Sequence, residues 1–211
     1  EWYSNTTNST TGGTLVATNN SSALTNSYTP LSSSAGVLYY YVIVYNTNGC
    51  QITSSISAPF TVNDLPNISV QPSSNNQTAC LNTATSDLTV NASAGSGNIS
   101  SYTWYSTSNI SGTPVWTVVA TNTTSSTTNT YTPSSNTVGT LYYYVRVTNS
   151  NGCIKASNAS GSVTINPVAI INNQSNAYCS GTPFTRTLTT GGGITVPANT
   201  TFSWNAPSVT G

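Results

Sequence analysis

No histidine and no methionine occur anywhere in these 211 residues, and charge is nearly missing. Three acids (Glu1, Asp64, Asp87) face three bases (Arg146, Lys155, Arg186), 3% of the chain against roughly 25% in an ordinary soluble domain. Each absence excludes a class of chemistry. A serine or cysteine triad has no imidazole to act as its base. A glycosidase needs two carboxylates facing each other, but Asp64 and Asp87 lie in different segments of the chain. A calcium cage needs several clustered carboxylates, and a zinc site needs histidine or a Cys-x-x-Cys pair. Clustered Lys and Arg, the footprint of nucleic-acid binding, are missing. No apolar run approaches the roughly 20 residues that span a bilayer. The expectation is a chain with no catalytic role, no cofactor, no metal, no nucleic-acid partner and no membrane insertion.

What fills the space is Ser, Thr and Asn, at 100 of 211 positions. Such polar composition often means disorder. Here 13 tyrosines and 4 tryptophans accompany Val, Ile and Leu in short alternating runs, which is enough to build cores. Thirteen Asn-x-Ser/Thr triplets, Asn5, Asn98, Asn122 and Asn199 among them, are close to what this composition yields by chance. The outward threonines are irregularly spaced and read as β-propensity with solubility. The sequence "GGG" at 191–193 has no following helix or Lys-Ser/Thr to make a phosphate loop.

The chain repeats itself. "LYYYVIVYNTNGC" at 38–50 returns as "LYYYVRVTNSNGC" at 141–153. "WYSNT" at Trp2 answers "WYSTS" at Trp104, "SYTP" answers "TYTP", and "FTVN" answers "VTIN", each pair 102 or 103 residues apart. A register held over these four landmarks means tandem homologous units. The division is 1–65, the back of one domain; 66–167, a complete domain; and 168–211, the front of a third. The boundaries fall at "NDLPN" and "INPVA", where proline stiffens the link. The chain opens on Glu1-Trp2-Tyr3, in mid-strand, and reads as an excerpt of a longer exported polypeptide.

Within 66–167 the alternating runs predict strands at 68–71, 87–92, 101–106, 116–120, 128–131, 141–148 and 162–165. About seven strands in a hundred residues predicts an all-β fold, a tandem array of immunoglobulin-like β-sandwiches. In "LYYYVRV" the period of two assigns Leu141, Tyr143, Val145 and Val147 to the core. Tyr142, Tyr144 and Arg146 fall on the opposite face, where the arginine covers aromatic rings. Trp2, Trp104 and Trp204 stand at the spacing of a sandwich core tryptophan. Trp116 has no counterpart in the first copy; with Tyr142 and Tyr144 it is the candidate for an exposed aromatic contact with glycans.

Each full copy carries one cysteine ahead of its tryptophan and one after its tyrosine strand. The expectation is a disulfide Cys80–Cys153 within the complete domain, closing a loop worth about 4 kcal/mol in the chain-entropy model. Cys50 and Cys179 are then half-bridges whose partners lie outside the segment. Disulfides imply an oxidising compartment and hence export.

The order cysteine, "YTWYSTSNISGTPV", "TYTP", "GTLYYYVRVTNSNGC" resembles the tandem Ig-like repeats of secreted giant surface proteins of Bacteroidetes bacteria. The likeness covers 1–167 and, toward the PKD-like variety, 168–211. It implies export by the type IX pathway, display on the cell surface, and a part in adhesion, gliding motility or extracellular filaments. One departure is that Asn46 and Asn149 stand where the family's D-x-N-G-C turn often has Asp, which removes a carboxylate that calcium would need. Three roles follow as expectations. The first is a stalk or fibre segment whose partners are neighbouring repeats or copies of itself. The second is a carbohydrate-binding array beside an enzyme. The third is a filament subunit joined by strand donation.

Overall fold

The computed structural model describes residues 1–173, 177, 179, 181–183, 185 and 187–203. Its described residues form strands and no helix. In 1–65 these are β1 (Trp2–Asn5), β2 (Thr14–Ala17), β3 (Gly36–Tyr45), β4 (Gln51–Thr53) and β5 (Phe60–Val62). In 66–167 they are β6 (Asn67–Val70), β7 (Gln77–Cys80), β8 (Leu88–Ser93), β9 (Ile99–Thr107), β10 (Thr117–Thr123), β11 (Thr128–Tyr131), β12 (Gly139–Asn149), β13 (Ile154–Ala156) and β14 (Val163–Asn166).

The second set closes into a sandwich. One sheet runs β10-β9-β12-β14-β7, with β13 also on β12; the facing sheet runs β11-β8-β6. The alternation of β12 turns Tyr143, Val145 and Val147 inward, at 2%, 0% and 0% exposure, with Leu141 half-buried at their edge. They meet Ile68, Leu88, Val90 and Ala92 of the smaller sheet, and Tyr102 and Trp104 of β9, in one core. Each Val or Leu so buried stabilises the fold by roughly 1.5–3 kcal/mol relative to exposure. Two hydrogen bonds tie β9 to the opposite side of the sandwich. Trp104 Nε1–H donates to Asn129 Oδ1 at 2.8 Å, and Tyr102 OH donates to Ser126 O at 2.8 Å.

The strands expected from sequence are present, and two more with them. β7 escaped notice because Gln-Thr-Ala-Cys carries no large apolar residue, and β13 because its three residues are all exposed. Between β13 and β14, serines extend the pairing along β12. Val145 N–H donates to Ser157 Oγ and Tyr143 N–H to Ser160 Oγ, both at 3.0 Å, while the serine N–H groups donate back to the same residues' carbonyls.

The first set repeats this plan 103 residues earlier. β3 pairs β5 through Gly36↔Val62 where β12 pairs β14 through Gly139↔Ile165, and Ser54 and Ser57 bond Val42 and Tyr40 as Ser157 and Ser160 bond Val145 and Tyr143. This sheet has no facing sheet among the described residues, so Val44, the counterpart of Val147, is 55% exposed. For the same reason Trp2, expected in the core, is only half-buried, resting on Tyr28 with Nε1–H donated to Asn26 Oδ1. The described part of 168–211 holds the isolated bridges Ile170↔Thr195 and Gly191↔Ile194 and no strand. Trp204 lies outside the described residues.

Candidate functional site at the repeat junction

The residues that link one copy to the next are held by the turn that ends the tyrosine strand. The turn is built on Asn149, which is 1% exposed. Its Oδ1 accepts from Asn151 N–H at 3.1 Å and Cys153 N–H at 2.9 Å. Its Nδ2 donates to Ala94 O at 2.9 Å, in the β8–β9 turn, and to Asp64 O at 3.1 Å, in the link. One amide thus uses both ends to tie turn, domain and link together.

Three neighbours complete the seat. Asp64 N–H donates to Ser96 Oγ at 2.8 Å. Asn151 Nδ2 donates to Asn63 Oδ1 at 3.3 Å, and Cys153 Sγ lies 4.0 Å from Asn63 O. Gly95 sits at φ +68°, and a Cβ there would collide with Leu65 O. The link packs so closely on this turn that only glycine fits beneath it. Asn46 builds the same turn in the first copy, accepting from Asn48 and Cys50 N–H at 3.0 Å each, but it is exposed. The turn was legible from sequence; its grip on the preceding link was not.

The chain enters the sandwich at this pole and leaves at the other. β12 runs from Gly139 to Asn149, and Asn149 is at the entry pole; β14 pairs with the Gly139 end and carries Asn166, ahead of Pro167, out beyond it. The two link sites are therefore separated by the length of an eleven-residue strand, ~33 Å.

This path corrects the expected disulfide. β7 lies parallel to β14, with Cys80 registered on Asn166, so Cys80 is at the exit pole. Cys153 follows the turn at the entry pole. Disulfide-linked Cα atoms lie at most about 7 Å apart. Cys80 and Cys153 therefore do not pair with each other, and no disulfide joins any of the four cysteines to another within these residues; Cys153 is half-buried and Cys50, Cys80 and Cys179 are exposed.

The outer face of the large sheet carries the aromatic group. Tyr105 and Tyr144 stack at 4.8 Å and 9°, Trp116 meets Tyr144 edge-on at 4.5 Å, and the Arg146 guanidinium lies 5.0 Å from the Tyr105 ring centre. Tyr144, a candidate exposed ring, is instead buried at 9% because Tyr105 and Trp116 cover it. Trp116 and Tyr142 are half-buried. In the first copy the same stack joins Tyr3 and Tyr41 at 5.1 Å, and Gly13 takes the place of Trp116 against Tyr41. Tyr105 and Tyr144 turn their faces to each other, while Trp116 and Tyr142 keep part of their surface in solvent.

The fold defines a class: an all-β chain of immunoglobulin-like β-sandwich type. No family model matches this sequence, and no curated protein does. Among solved structures it is similar to the fibronectin(III)-like modules of Clostridium thermocellum CbhA, with 13% identity, 69% of this chain and 70% of that chain covered, and a TM-score of 0.38. A likeness so distant carries no argument about function.

Proposed function

We propose that this chain is a repeat segment of a long extracellular fibre or adhesin stalk, non-catalytic, that holds something away from a cell surface. The observation that carries the reading is the junction. A link clamped by Asn149 at one pole, and an exit at the opposite pole ahead of Pro167, make each sandwich a spacer that adds its own length to the array. A binding platform needs open ring faces, and of the three candidate rings Tyr144 is covered by Tyr105 and Trp116. The low charge suits a spacer as well, since neighbouring copies neither repel nor steer one another. The resemblance to Bacteroidetes surface repeats agrees with this role and would make the export route type IX.

The test is the mass of the native polypeptide on a reducing, denaturing gel, with peptide mapping. A chain several times longer than these 211 residues, with repeats on both sides, is the expected outcome. A chain of this length alone would overturn the stalk and favour a subunit that assembles by strand donation. A glycan array run on the same material checks the rival role: binding lost in Trp116→Ala would establish a carbohydrate module instead.

A further inference from the structure

Two cysteines that cannot reach each other within a domain sit, each at its own pole, beside equivalent atoms. At the exit pole Cys80 is registered on Asn166, and the next N–H, of Leu81, donates to Asn166 O at 2.8 Å. At the entry pole Cys153 Sγ lies 4.0 Å from Asn63 O. Asn63 is the first copy's Asn166: it follows β5 as Asn166 ends β14, and the two strands pair their long neighbours in the same register. A strand laid on β5 as β7 lies on β14 therefore brings its cysteine to Asn63, and the N–H that follows it to the carbonyl oxygen that Cys153 already touches. Both cysteines are thereby placed at the same link residue, one by its Sγ and the other by its strand register.

We propose that the cysteines pair across repeat junctions: the second cysteine of each repeat bonds to the first cysteine of the repeat ahead of it. Cys153 takes the cysteine at the β7 position of the repeat that contains 1–65, and Cys80 takes the second cysteine of the repeat that starts at 168. Cys50 and Cys179 do the same one repeat further out. This inference rests on the tandem-repeat reading above. The oxidant is a disulfide-bearing donor of the export compartment. One thiolate attacks the donor's disulfide and expels a donor thiolate. The partner thiolate then attacks the mixed disulfide and expels the second. One S–S bond forms, one breaks, and the two protons end on the donor's thiols. Each junction then has two covalent paths, the proline link and the bridge beside it.

The experiment uses the full-length protein as exported, with free thiols alkylated under denaturing conditions and digestion carried out without reductant. Cys153 is expected in a cross-linked peptide with a cysteine from the repeat ahead, and Cys80 with one from the repeat behind. An alkylated Cys153, or a Cys80–Cys153 peptide pair, overturns the proposal. If flanking repeats are present and Cys153 is alkylated, only the bridge fails; if the reducing gel shows no flanking repeats, the tandem reading itself fails. A variant adds an independent readout. C153S in the full-length protein is expected to keep the near-ultraviolet signal of the Trp104 core and to expose one new alkylatable thiol in the repeat ahead. A thiol count unchanged by C153S overturns the bridge.

Discussion

At Asn149 a single side chain decides whether the link is seated. Its amide donates to two carbonyls, which a carboxylate cannot do. Asn149→Asp keeps an acceptor for the Asn151 and Cys153 N–H groups but turns an oxygen toward Asp64 O and Ala94 O in place of the two N–H donors. It is expected to cost about 1–3 kcal/mol in urea unfolding; a midpoint equal to the parent's would sink the account of the turn. Ser160→Ala tests another residue that the fold depends on. It leaves the Tyr143 N–H without its acceptor inside the domain and is expected to cost about 1–3 kcal/mol in urea unfolding. Trp104→Ala, which empties the centre of the core, is expected to cost roughly 3–5 kcal/mol by the same measurement.

Among the elements, β12 decides most of the fold, since it pairs β9, β13 and β14 and supplies three core residues. The link against the β8–β9 turn is the other element with a sharp expectation. Gly95→Ala pushes a methyl group into Leu65 O and is expected to speed proteolysis at residues 63–66 while the core signal of Trp104 stays unchanged. Cleavage no faster than in the parent would mean that the link is not seated there. The alternation of β12 and the spacing of Trp104 could be read in sequence because burial imposes a period of two on large apolar residues. β7 could not, since Gln77–Cys80 is held by parallel pairing to β14 and by little apolar surface of its own. That omission misled the cysteine reading. Without β7, nothing in the spacing of Cys80 and Cys153 says that a parallel strand carries one of them to the far pole. The clamp on Asp64 was hidden for a related reason, because it joins residues 85 positions apart through a backbone carbonyl, and a carbonyl leaves no mark on the sequence.

For the whole molecule, scarcity of charge fixes the response to solvent. With three acids, three bases and no histidine, the thermal midpoint is expected to hardly move between low and moderate salt or across the neutral range. Strong alkali is different. Burial pushes the Tyr143 phenol from its ordinary value near 10 up to about 12, with Tyr131 adding to it, and burial raises Tyr102 and Tyr131 as well. Tyrosines of the unfolded chain ionise near 10, so stability present below that pH is lost as pH rises toward 12. Unfolding followed by tyrosinate absorbance should be a cooperative step within that window; gradual ionisation without loss of the fold would show these rings to be open to solvent.

The parallel pair β7 and β14 has one more consequence. β7 belongs to the front of the sandwich and β14 ends it, and both point toward the exit pole. Tension applied through the two links draws the front of the domain toward one end and β14 toward the other. The four registered pairs from Val163↔Gln77 to Asn166↔Cys80 then slide past one another as a set instead of peeling one at a time. Pulling on the two ends of the domain would load them in shear, the direction in which a short ladder yields last.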